Sequence, residues 1–347
     1  MRELLETLRA WRAEGIGVGR AVLVRAFGSS PRQPGASLLV GDDGRMAGSV
    51  SGGCVEGAAL EEVRRARRTG LSRLVRYGIS DETAWDVGLA CGGVIDVLIE
   101  PELRPEVIDA ASAAAQGAAP RAIAIALPAD GSGQPPEPSV EGAAASGALA
   151  SAVEVALGGG GSAALEIDGR AWFVEAFLPP PRLVIVGAVH VAGPLAAYAK
   201  TLGYRTVVID RRKTFAAGQQ LAGVDQLIED WPERAAEAIG LGRDDSVAVL
   251  SHDPKLDEPA IVEALRRGCR YVGAIGSRTT QADRRERLLA AGIGEHDLAR
   301  LHGPIGLDLG GREPAEIALA IMAEIVAARR SGSGLPMAAA PTGASAT

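Results

Sequence analysis

A chain of 347 residues, 47% hydrophobic and 23% charged, can bury a large core and is long enough for two domains. Its formal net charge of -7, with no Lys- or Arg-dominated stretch covering a face, excludes a dedicated nucleic-acid binder, because phosphate recognition needs a basic footprint. Met1 to Trp11 reads as an amphipathic helix without the apolar core of an export signal, and apolar runs such as Leu183 to Val189 fall far short of the ~20 residues that cross a bilayer. The expectation is a cytoplasmic protein with no nucleic-acid and no membrane partner.

Val18 to Phe27 reads as a strand, followed by a Pro/Gly loop from Gly28 to Gly35 and a hairpin from Ser37 to Val50 that turns at Asp42-Asp43-Gly44. Gly52-Gly53 breaks this pattern. From Glu56 to Arg68 the spacing is helical, with Ala59, Leu60 and Val63 on one side and arginines on the other, so Cys54 stands at a strand-to-helix junction. A further strand, Val94 to Glu100, follows Cys91-Gly92-Gly93. Residues 1–109 thus form a mixed α/β N-terminal domain. Residues 110–181 thin into Ala, Gly, Ser and Pro and read as a low-complexity connecting region, with weak strands at Ala122 to Ala126 and Trp172 to Phe177 that extend the first domain's sheet.

Residues 182–330 have the layout of a Rossmann-like domain with a parallel sheet. Leu183 to Val186 is a strand, Gly187-Ala188-Val189-His190 a turn, Ala192 to Leu202 a helix closed by Gly203, and Thr206 to Ile209 the next strand, ending at Asp210. An acid there suits a ribose hydroxyl, but Val189 stands where the dinucleotide pattern wants its second glycine, which weighs against tight nicotinamide binding. Strands at Ser246 to Leu250 and Tyr271 to Ile275 lead into Ser251-His252-Asp253 and Gly276-Ser277-Arg278. Loops that follow parallel strands emerge on one edge, so Gly187, His190, Asp210, His252, Asp253, Gly276, Ser277 and Arg278 are candidate ligand contacts. Amides at the helix start suit an anion, and Arg278 offers a planar two-point hydrogen bond to phosphate. The same features also fit a purely structural βαβ unit, with His190 as a turn cap. His296 and His302 read as surface residues, and residues 331–347 as a disordered tail.

Three cysteines cannot form a paired framework, and a reducing compartment keeps them as thiols. Cys269 reads as a buried small apolar residue. Around Cys54, Gly52 and Gly53 free the backbone to place a thiol where a helix begins, and the helix's positive end favours thiolate, the form that binds soft metals and sulfur. Cys91 has a similar setting. All four histidines lie beyond residue 182, so a zinc site or a local cysteine-histidine nucleophile pair in the N-terminal domain is disfavoured. A buried cysteine in a tight turn is the bland alternative for both.

Taken together, Gly28-Ser29-Ser30-Pro31-Arg32 with Gly35, Gly48 to Glu56, Cys91-Gly92-Gly93, Leu183 to Ala192, Tyr271-Val272-Gly273, Gly276-Ser277-Arg278 and Pro304-Ile305-Gly306-Leu307-Asp308 resemble, in order, the XdhC/CoxF family. The resemblance implies a maturation factor for molybdenum hydroxylases such as xanthine dehydrogenase, nearer to a cofactor-binding chaperone than to a free-standing enzyme. It implies that molybdenum cofactor is bound, gains its sulfido ligand with a cysteine desulfurase as sulfur source, and passes to the apo-enzyme; a homodimer is the candidate assembly. Cys54 is then the leading contact for metal or sulfur, Cys91 a second reactive sulfur, Gly52 and Gly53 their loop, and the C-terminal loops with Asp308 the contacts for pterin or nucleotide. Two rival readings stand beside it: an oxidoreductase using NAD(P) or FAD, and a non-catalytic docking protein between desulfurase and target.

Overall fold

The structure, a computed structural model, describes every residue except 29, 79–92, 130–132, 213–220, 222 and 340–347. Cys91, Gly92 and the last eight residues of the expected tail therefore lie outside the described residues. The chain divides into two units, Met1–Pro179 and Pro180–Thr347. Among the described residues no helix is long and apolar enough to cross a membrane.

In the first unit, β1 (Val18–Phe27) pairs antiparallel with β2 (Ser37–Gly41) on one side and β5 (Val94–Glu100) on the other; β3 (Met46–Gly48) and β4 (Arg73–Tyr77) complete a sheet ordered β3-β2-β1-β5-β4. Both faces of β1 are buried, and its period-two alternation divides its side chains between two cores. Ala21 and Leu23 meet α2 (Glu56–Thr69), whose inner stripe Ala59, Val63 and Ala66 is fully buried. These small residues let the helix lie close: a Cβ at Gly19 would come within 2.6 Å of Val63 Cγ1. Val22 and Val24 face the other way, onto α1 (Leu5–Ala13), α3 (Pro105–Ala115) and a second antiparallel sheet.

That second sheet is built from residues whose composition suggested a connecting region. It is ordered β7-β6-β9-β8, from β6 (Arg121–Ala126), β7 (Val140–Glu141), β8 (Ala163–Ile167) and β9 (Arg170–Phe177), and its Ile123, Ile125, Phe173 and Phe177 share a core with Leu8 and Val22. The alanines pack too: Ala122 and Ala124 lie with Val174 against Val153 of α4 (Gly147–Val155) and Ala156. The β8–β9 hairpin closes through Asp168-Gly169, both at positive φ (51° and 74°), the geometry that suits a two-residue turn.

A buried ion cluster ties the two sheets of this unit. Arg20 of β1 is fully buried, and its Nε donates to Glu100 of β5 (2.8 Å) while Nη1 donates to both oxygens of Glu175 on β9 (2.9 Å each). Arg104 donates to the other Glu100 oxygen. Burial pushes the Glu100 carboxyl up, but its two arginines hold it below the ordinary range. Glu175 has one arginine and a neighbouring carboxylate, and burial pushes it up.

The second unit carries a parallel sheet ordered β12-β11-β10-β13-β14-β15, from β10 (Arg182–Val186), β11 (Arg205–Ile209), β12 (Gln226–Ile228), β13 (Asp245–Val249), β14 (Tyr271–Ala274) and β15 (Leu301–His302). Numbered from its own first strand, this is the order 3-2-1-4-5-6 of the doubly wound Rossmann fold, with its switch point between β10 and β13. Val184, Val186, Val247 and Val249 face one helical layer, including α6 (Pro232–Ala238), α7 (Pro254–Arg266) and α8 (Arg278–Ala290). Leu183, Ile185, Ala248 and Leu250 face α5 (Ala192–Thr201) and the C-terminal helix, which α9 (Glu295–Leu298) precedes: α10 (Pro314–Arg330). The α/β fold class, mixed in the first unit and Rossmann-like in the second, is the one expected from sequence.

Removing Arg20 leaves buried Glu175 without its arginine and Glu100 with Arg104 alone, so Arg20→Ala is expected to cost ~3–5 kcal/mol. Urea unfolding followed by tryptophan fluorescence in a Trp231→Phe background measures it, because the remaining tryptophans all lie within residues 1–179. A loss below ~1 kcal/mol refutes the assignment.

Candidate functional site

At one end of the first sheet the glycine-rich segments come together. Phe27 pairs with Val94 and Leu38 with Gly48, so the loops that follow β1 and β3 and the residues that precede β5 all emerge there. A Cβ at Gly28 would lie 3.9 Å from Gly93 Cα, and one at Gly52 would lie 3.4 Å from Pro31 Cγ. The motif residues around Gly28, Gly52 and Gly93, far apart in sequence, are thus neighbours. Cys91 belongs to the last of these segments but lies outside the described residues.

Between β3 and α2 the loop is organised by Glu56. One of its oxygens accepts from Ser49 Oγ (2.6 Å) and from the amides of Val50 (3.1 Å) and Ser51 (2.9 Å); the other accepts from Ser51 Oγ (2.7 Å) and the Val55 amide (3.2 Å). The two hydroxyls are then oriented to accept in turn: Ser49 Oγ from the Gly52 amide (2.7 Å), Ser51 Oγ from those of Cys54 (3.0 Å) and Val55 (3.1 Å). Gly52 and Gly53 have φ of 87° and 119°, left-handed values that a side chain would strain, while nothing crowds Gly53. The outcome is an exposed Cys54 at the start of α2 on a loop braced from within. Burial pushes the Glu56 carboxyl up, but the hydrogen bonds from Ser49 and Ser51 outweigh it and lower its pKa from 4.5 to about 2.

Glu56, Ser49 and Ser51 had no assigned role in the sequence reading. The available signal was two hydroxyl residues upstream of an acid in the first helical turn, a relative of the capping box.

In the second unit the expected residues lie where the parallel topology puts them. Gly187 has φ of 107°, and a Cβ there would lie 2.8 Å from the backbone of Ser251, so this glycine lets the ends of β10 and β13 close on each other. Asp210 is fully buried. Its two oxygens accept from the Ala188 amide (2.8 Å) and from Arg212 through its amide (2.9 Å), Nε (2.9 Å) and Nη2 (2.7 Å). Burial raises its pKa, and these donors, Arg212 foremost, bring it below the ordinary carboxylate range. Four hydrogen bonds fill the acceptor sites of a carboxylate, so Asp210 braces the Gly187 turn and has no free lone pair for a ribose.

Two other helix starts of this unit are self-capped as well. Asp253 accepts from the Lys255 amide (3.0 Å) at α7, and Ser277 from the Thr280 amide (3.2 Å) at α8. Only α5, entered through half-buried Val189 and exposed His190, begins without a side-chain cap among these three. His252, exposed, has a φ of 61°. Beside it Ser251 Oγ donates to buried Asp257 (2.5 Å), which also receives Arg284 Nη2 (3.1 Å). Gly276 has φ of 137°; Arg278 is exposed with no hydrogen bond or ion pair to the described residues; Asp308, beyond β15, is exposed. Cys269 is buried, as expected, and burial pushes its thiol up to about 12.

His302 is less isolated than its sequence context suggested: its Nδ1 lies 3.0 Å from Glu324 of α10, which also receives Tyr271 Oη (2.5 Å) and the Gly306 amide (2.7 Å). Among the described residues no group of three or more His, Cys, Asp or Glu side chains is arranged to hold a metal ion.

Because Glu56 is held below its ordinary pKa, its contribution to stability is full above about pH 4.5 and fades as pH falls towards about 2. Glu56→Gln is therefore expected to melt several degrees below the parent at pH 7, with the gap closing between those pH values. Scanning calorimetry across that range checks it, and a pH-independent gap rules it out.

Comparison with known proteins places both units. A family model described as the XdhC Rossmann domain matches residues 183–325, and one described as the XdhC and CoxI family matches residues 11–78. The chain is 27% identical over 323 residues to a protein of Bacillus subtilis (strain 168) described as a probable xanthine dehydrogenase subunit, covering 89% of this chain and 92% of that protein. It is 25% identical over 316 residues to the molybdenum cofactor insertion chaperone PaoD of Escherichia coli (strain K12), covering 91% and 84%. A crystal structure described as a xanthine dehydrogenase from Bacillus halodurans superposes with a TM-score of 0.72 at 25% identity, covering 98% of each chain. With a family match in each unit, the chain belongs to the XdhC and CoxI family.

Proposed function

We propose that this protein is an accessory factor that binds molybdenum cofactor and assists its sulfuration and its insertion into a xanthine dehydrogenase-type hydroxylase. The observation that carries this reading is an exposed Cys54 thiol, presented by a braced loop at the start of α2, in a chain similar along most of its length to a molybdenum cofactor insertion chaperone. A thiolate is the protein ligand that suits a soft metal or a sulfur atom. The uncapped start of α5 and the exposed Arg278 suit the phosphate of a pterin cofactor. The apo-hydroxylase is the receiving partner and a cysteine desulfurase the source of sulfur, with all three in the cytoplasm.

The reading as an NAD(P)- or FAD-dependent oxidoreductase is weaker. Its expected ribose acceptor, Asp210, is filled by Arg212 and Ala188, and Val189 stands where the dinucleotide pattern has its second glycine.

Purified protein incubated with molybdenum cofactor and passed through gel filtration should retain molybdenum. Cys54→Ser and Arg278→Ala should each lower retention by about ten- to a hundredfold, the range for losing a charge-assisted contact. Unchanged retention in both variants sinks the placement, and failure to stimulate an apo-hydroxylase, with and without desulfurase, sinks the role.

A further inference from the structure

The start of an α-helix attracts anions, because its free amides and the helix dipole point at them. In the Cys54 loop that place is taken. The amides of Val50, Ser51 and Val55 donate to Glu56, that of Gly52 to Ser49, and that of Cys54 to Ser51. Only the Gly53 amide within this run is without a partner among the described residues. The chain's own carboxylate thus occupies the position of an oxyanion, two residues from the thiol.

We propose that Glu56 is a positioning and specificity-determining residue for Cys54: its carboxylate fixes the loop and excludes phosphate, sulfate and carboxylate from the thiol, so that the loop accepts uncharged or cationic soft groups. The phosphate of a cofactor must then be held away from this loop. This inference rests on the reading of Cys54 as the thiol contact.

The test is the rate at which Cys54 is alkylated in the full chain, followed by peptide mass spectrometry, with neutral iodoacetamide and with anionic iodoacetate. Glu56→Gln should raise the iodoacetate-to-iodoacetamide rate ratio about two- to fivefold, the size expected for removing one nearby charge in a solvated loop. Glu56→Asp keeps the charge but shortens the reach, so it should change both rates together and leave the ratio near that of the parent. Sulfate should not protect Cys54 in the parent, a measurement that needs no variant to fold. An unmoved ratio in Glu56→Gln, an equal rise in Glu56→Asp, or sulfate protection of the parent overturns the proposal. These outcomes are separate from cofactor retention: unchanged retention in Cys54→Ser removes the reading of Cys54 as the thiol contact, whereas lost retention with an unmoved ratio removes only the role of Glu56.

Discussion

Arg20 reaches Glu100 on the neighbouring strand and Glu175 on the second sheet, so this one guanidinium links the two sheets of the first unit, which also share an apolar core. A buried ion cluster is no guarantee of net stability, since apolar residues of the same volume often do as well. What it does is make other arrangements costly: any shift of β9 against β1 leaves a carboxylate unpaired in a medium that cannot solvate it. Because β1 and β5 are held in this way, the end of the sheet at Phe27 and Val94 is held too, and from it the loops around Gly28, Gly52 and Gly93 emerge.

Internal satisfaction of charge recurs at the places where this fold would otherwise meet a ligand. Glu56 closes the start of α2, Arg212 fills Asp210, and Asp253 and Ser277 cap α7 and α8. Among the described residues, the groups left open include the Cys54 thiol on the first unit and, on the second, the uncapped start of α5 and the side chain of Arg278.

Elements with strong local periodicity were legible from the chain. Val18–Phe27 and Val94–Glu100 have the boundaries expected from the sequence, and the Asp42-Asp43-Gly44 turn and the βαβ unit at Leu183 are where they were expected. Within residues 110–181 the strands expected at Ala122 to Ala126 and Trp172 to Phe177 are present, but they form a sheet of their own instead of extending the first; alanine and glycine carry little hydrophobic signal, and Ala122, Ala124 and Ala156 become core only when a helix lies close above them. The Asp168-Gly169 hairpin, and α10 with its Glu313/Glu316 capping box, bore readable signals that composition masked.

The sequence by itself determined the α/β class, the Rossmann-like order of elements in the second unit, and the placement of Cys54 at a helix start, because strand period, glycine turns and βαβ spacing are local properties of the chain. Only the tertiary structure decided what each polar group is committed to. Whether Asp210 is free for a ribose, or Glu56 is merely a helical acid, depends on which donors the fold brings within 3.2 Å of each carboxylate. Those donors come from backbone amides as well as side chains, and an amide carries no mark in the sequence of where it points.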